Sequence, residues 1–122
     1  MKIIRGDTKR YQFKRTDADG KVVTERPYGL YFTVKNTWTD EDFIFQKTIS
    51  DMEFDDDPES ETYGYWAFVI RPEDTNQIGY GRHVCDIQVV RDADSLEKTT
   101  IFKDQFNVLG ESTWAINEVE ES

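Results

Sequence analysis

Hydrophobic and polar residues alternate along most of this chain, and a period of two is the signature of strands with one buried face. In residues 8–14, Tyr11 and Phe13 share a face, while Thr8, Arg10, Gln12 and Lys14 share the other. Residues 30–35 turn Leu30, Phe32 and Val34 inward, and residues 43–49 keep Phe43, Phe45 and Ile49 in phase. Residues 65–70 are apolar on both parities; Trp66, Phe68 and Ile70 are assigned inward, and a strand of this kind is covered on both faces. Residues 82–89 place His83, Cys85, Ile87 and Val89 on one side. In the last strand, residues 99–108, Ile101 is out of phase with Phe106 and Val108. A β-bulge near Lys103 and Asp104 restores the phase.

Turn chemistry separates these runs. Asp17, Asp19 and Gly20 read as a turn, and Pro27 and Gly29 punctuate the chain before the next strand. Residues 21–24 form a short extended piece. Residues 36–42 are a loop carrying Trp38. Residues 51–61 are acidic and contain Pro58, which marks an exposed loop, with Met52 and Phe54 in a short edge strand. Residues 72–75 turn a corner, and residues 92–95 close a hairpin. About seven short strands at this spacing predict an all-β, immunoglobulin-like antiparallel β-sandwich. The expected domain spans residues 1–109. Gly110 then breaks the last strand, and residues 110–122 form a C-terminal arm, either a short helix capped by Ser112 or Thr113 or an extended segment.

Composition sharpens this picture. The 122 residues carry a net charge of −10, with 14% aromatic side chains. That aromatic content argues for a packed core despite a mean hydropathy of −0.74, because disordered chains are poor in aromatics. The acidic balance argues against nucleic acid as a partner, since phosphate contacts need clustered Lys and Arg. No apolar run has the length of a membrane-spanning helix, and residues 1–7 lack the apolar stretch of a signal peptide. A single cysteine, Cys85, excludes an internal disulfide and any multi-cysteine zinc site.

Three short motifs then come in order. Arg5-Gly6-Asp7-Thr8 leads into an alternating strand. Pro72-Glu73-Asp74-Thr75 is followed by Ile78, Gly81 and Cys85-Asp86-Ile87-Gln88-Val89. Thr100-Ile101 and Phe106-Asn107-Val108 close the series. Together they resemble the small immunoglobulin-like structural proteins of tailed bacteriophages and prophages, in particular the N-terminal domain of upper baseplate proteins. The resemblance covers residues 4–109; His83 and Cys85 stand where such domains carry two aromatics, and Asp104 where they carry a glycine. It implies a non-enzymatic structural subunit of a phage virion, in the tail or baseplate, made in the bacterial cytoplasm. Its partners would be other virion proteins and copies of itself, with no nucleic acid, membrane, cofactor or small-molecule substrate. The alternatives are a head decoration or head–tail connector subunit, and a carbohydrate- or host-surface-binding sandwich module.

Several residues invite a chemical reading. Arg5-Gly6-Asp7 spells an integrin-binding tripeptide, but a turn entering the first strand explains it, with Asp7 bonding nearby backbone. The carboxylates Asp51, Glu53, Asp55, Asp56, Asp57, Glu59 and Glu61 offer hard oxygens, yet the spacing and central glycine of a calcium loop are missing. No metal site is expected. Asp55, Asp56 and Asp57 are instead candidates for meeting a basic surface on a neighbour. His83 and Cys85 lie two apart on an inward face, where cysteine acts as a small hydrophobe; His83 also sits where immunoglobulin domains place the tyrosine that bonds back across a corner. No catalytic residue is expected. Trp38, Trp114 and Ile116 fall outside the core pattern, and aromatics so placed anchor interfaces or, for Trp114, cap the open end of the sandwich.

Overall fold

The computed structural model describes residues 1–94 and 97–110. Among them, alternation becomes strand as expected: β1 (Lys2–Ile4), β2 (Lys9–Phe13), β3 (Gly29–Lys35), β4 (Phe45–Thr48), β5 (Glu53–Phe54), β6 (Trp66–Ile70), β7 (Gly81–Val90) and β8 (Lys98–Leu109). One turn of helix, α1 (Pro72–Thr75), forms the corner between β6 and β7. Five strands make one sheet in the order β1-β8-β7-β3-β4, and three make the other in the order β2-β6-β5. The two sheets pack as a β-sandwich. With β1 set aside, the orders match the immunoglobulin arrangement, in which hairpins alternate with connections that cross between sheets.

The inward positions are those the alternation marks. Leu30, Phe32, Val34, Trp66, Ile70 and Phe106 are fully buried. Phe32 is the centre of the core: it stacks on Phe68 at 4.4 Å between centroids and tilts against Phe45 and Phe106 at 6.2 and 6.3 Å. These offset and tilted arrangements suit the ring quadrupoles and add to the area buried. No disulfide is available, so this aromatic contact between sheets carries the cohesion of the fold.

The structure corrects three readings. First, the sandwich is not wholly antiparallel. β1 runs parallel to β8, with Ile3 beside Val108, and a three-residue strand is too short to show a period. Second, the bulge lies not near Lys103 but at Ile101: the register shifts between Ile87 and Gln88, which face Phe102 and Thr100. Phe102, not Ile101, is in phase with Phe106 and Val108, although both residues are exposed at the open margin of the core, and Ile101 is the extra one. Third, Phe43 lies outside β4 and is exposed. The short extended piece at residues 21–24 pairs back on the preceding segment through a bridge from Thr16 to Val22 and the Val23 N–H donating to the Arg15 carbonyl at 2.8 Å. The expected arm, residues 110–122, lies outside the described residues apart from Gly110.

Candidate interaction surfaces

The first and second motifs meet in space. The backbone N–H of Gly6 donates to Thr75 Oγ1 at 3.2 Å, and Arg5 Nη2 donates to the carbonyl of Asn76 just past α1. The Arg5 guanidinium also lies 5.2 Å from the Tyr80 ring centroid. Gly6 adopts φ +91°, a conformation open to glycine at no steric cost. The Arg5-Gly6-Asp7 segment is thus a clasp on the corner. Asp7 bonds nearby backbone as expected, but through its own N–H to the Ile4 carbonyl at 3.0 Å. At the same corner, His83 Nε2 lies 2.7 Å from the Gly79 carbonyl. A carbonyl only accepts, so Nε2 carries the proton. His83 therefore bonds back to the chain just upstream, as the corner tyrosine of immunoglobulin domains does.

Trp38 sits in the β3–β4 loop and is 45% exposed. It is not isolated: Lys103 Nζ lies 5.0 Å from its ring centroid, which lays the loop on the outer face of the larger sheet. Tyr31 is capped in the same way by Lys98 at 5.2 Å. Asp86 lies on this face, paired with Lys103 across the ladder. Burial pushes its carboxyl above the usual range, and Lys35, Lys103 and Lys98 offset this only in part. Its Oδ1 is buried without a hydrogen-bond partner among the described residues.

The acidic loop after β5 is an organised turn rather than a row of free charges. Asp55 accepts the Ser60 hydroxyl at 2.6 Å, the Thr62 hydroxyl, and the Asp57 N–H at 3.1 Å. These bonds hold its carboxyl below the ordinary value. Asp57 in turn accepts the Glu59 N–H at 3.0 Å. Asp55 is therefore spent on the loop's own shape, while Asp56 and Asp57 are exposed. Among the described residues, no three His, Cys, Asp or Glu side chains are grouped to hold a metal ion.

His83 and Cys85 both face inward as expected, but they serve different partners. Cys85 is buried, its Sγ is 3.4 Å from Met1 Sδ, and burial pushes the thiol up to about 12. It is protonated at neutral pH, and nucleophilic chemistry needs the thiolate.

One surface has no counterpart among the residues singled out by sequence. β2 is an edge strand of the smaller sheet, and β8 is paired by β1 only from Asn107 to Leu109. Between these two edges, which no other strand among the described residues covers, runs a cleft of about 470 Å³ lined by Phe13, Phe68, Ile87 and Phe102 together with Lys14 and Arg15. Arg15, Thr16 and Ile101 are shared with a second hollow of about 630 Å³, so the two form one groove down this flank. Arg15 Nε, buried in this wall, has no hydrogen-bond partner among the described residues. Two signals in the sequence mark the site: adjacent apolar residues at Ile101 and Phe102, and four basic residues within residues 9–15 of an acidic chain.

Trp38, Asp55, Asp56 and Asp57 do not converge with this flank on one site. Trp114 and Ile116 lie outside the described residues. No family model, curated protein or solved structure matches the chain.

Proposed function

We propose that this chain is a non-enzymatic structural subunit of a tailed-phage particle, placed in the tail or baseplate and acting through protein–protein contacts. The observation that carries the assembly part of the reading is the open flank, where two strand edges left unpaired among the described residues border an apolar groove. Unpaired N–H and C=O rows are templates for another chain, and proteins normally cover or blunt them. The virion part rests on the resemblance of the three motifs. Its first two pieces, Arg5-Gly6-Asp7-Thr8 and Pro72-Glu73-Asp74-Thr75, touch through Gly6 and Thr75, so they work as one structural device.

On this reading the rigid aromatic core holds the edges in place, and the neighbours are other virion proteins and copies of the chain. Antibody labelling of intact particles tests it. Label at the tail or baseplate is the expected result. Label confined to the head or the head–tail junction would move the subunit there, and particles that lack the protein altogether would overturn the reading.

A further inference from the structure

We propose that the outer face of the larger sheet docks the acidic loop, residues 55–63, of a second copy of this chain. The inference deepens the reading of the chain as an assembly subunit, and it rests on that reading.

The strand register separates the charges of the chain. Leu30, Phe32, Val34, Ile87 and Phe106 are buried on the inner face of the larger sheet, so the residues that alternate with them point away from the core. Those outward positions hold Lys2, Lys35, Arg82, Lys98 and Lys103, against Asp86 as their one carboxylate among the described residues. This is the reverse of a chain whose net charge is −10. Among the described residues, none of the five cations is within ion-pair distance of a carboxylate. Lys98 and Lys103 lie over the Tyr31 and Trp38 rings, a contact that places an ammonium group without neutralising it. At the margin of the face, the Asp40 carboxylate accepts the Thr37 N–H at 3.1 Å and so holds its own turn.

The acidic loop is the complementary surface. Residues 55–63 contain no base, and Asp56, Asp57, Glu59 and Glu61 are exposed. The bonds from Asp55 to Ser60, Thr62 and the Asp57 N–H fix the shape of the loop before any contact is made, and a preformed surface pays less to bind. Opposite potentials on two such surfaces select partners and fix their register.

Placement within the fold assigns the loop to a neighbour. It joins β5 to β6 in the smaller sheet, and the Gly64 backbone that follows it is packed against Val22 and Val23. The basic face is the side of the larger sheet turned away from the smaller one, and the two layers are about 10 Å apart. A loop anchored in this way does not reach the far face of its own sandwich. The contact joins two unlike surfaces, so every docked copy still offers one free loop or one free face. It builds a ring or a stack rather than a closed twofold pair.

Charge reversal tests this on the full chain. Lys98→Glu with Lys103→Glu reverses the face, and Asp56→Lys with Asp57→Lys reverses the loop. All four side chains are exposed, and far-ultraviolet circular dichroism checks that each variant is folded. In sedimentation velocity the parent should form multimers at low salt and dissociate at about 1 M salt, where the screening length is about 3 Å. Each variant alone should sediment as a monomer. An equimolar mixture of the two should form multimers again, because each supplies the charge that the other has lost.

A parent that stays monomeric in low salt at its highest soluble concentration would overturn the proposal. So would a loop variant that still assembles alone, since the face then meets some other surface, or a mixture of the two variants that stays monomeric. Failure here leaves the particle-labelling result untouched, and absence from particles leaves the sedimentation result untouched, so the two readings fail separately.

Discussion

The N–H of Gly6 is bonded to the hydroxyl of Thr75, 69 residues further along the chain, at 3.2 Å. Thr75 is fully buried, and its hydroxyl also donates to the Pro72 carbonyl at 3.3 Å. One side chain thereby closes the corner between the two sheets and pins the turn that joins β1 to β2. The pairing ties two segments 69 residues apart to one polar group.

Thr75→Val keeps the shape and removes both bonds, leaving the Gly6 N–H without its partner. Gly6 is exposed, so water can take up its N–H, and the loss is that of an ordinary hydrogen bond, ~0.5–1.5 kcal/mol. Urea unfolding should show a midpoint lowered accordingly with an unchanged slope, and Thr75→Ser should recover much of the loss.

Gly64 has φ +89°, and a Cβ placed there would sit 2.7 Å from Val22 Cγ1 and 3.2 Å from the Val23 carbonyl. Gly64→Ala combines left-handed strain with overpacking against backbone, each worth ~1–3 kcal/mol. Gly79 has open space and no positive φ. Thermal unfolding of Gly79→Ala, at an exposed loop position, should match the parent closely, while Gly64→Ala should unfold well below it.

Phe32 and Phe43 differ by position, not chemistry. Phe32→Ala opens a cavity between the sheets and should cost ~3–5 kcal/mol. Phe43 is 52% exposed, and surface changes of this kind usually stay within about 0.5 kcal/mol. Denaturant titration of the two variants side by side checks the contrast.

Acid should destabilise the fold through Asp55 and Asp104. Asp104 accepts from the Met1 amino group at 2.7 Å, and its carboxyl, like that of Asp55, is held below its ordinary value. A carboxyl lowered in the folded state contributes stability that is present above its unfolded pKa of about 4 and is lost as pH falls through the folded value. Asp86 has the opposite sign: its raised carboxyl favours the fold below about pH 4 and opposes it as pH rises through the folded value. Melting temperatures between pH 7 and pH 2 should therefore fall for the parent and fall less for Asp55→Asn with Asp104→Asn. Asp86→Asn should melt above the parent at pH 7 and converge with it in acid.

Much of the sandwich is legible in the chain because strand periodicity is local. Tyr11, Phe32, Phe68, Ile87 and Phe106 each announce an inward face through their immediate neighbours, and the corner role of His83 follows from its offset to Cys85. Ile101 misleads for the same reason: local phase cannot tell which of two adjacent apolar residues the bulge ejects. Asp55 reads as free charge because its hydroxyl partners, Ser60 and Thr62, count only once the loop has folded.

The residues alone determine which segments become strands, which faces turn inward, and that the core is aromatic and unstapled. The parallel pairing of β1 with β8, the place of β2 at the edge of its sheet among the described strands, and the groove between β2 and β8 were decided only by tertiary structure. Each depends on segments far apart along the backbone competing for the same hydrogen-bonding edge, and alternation carries no information about which edge a strand will take.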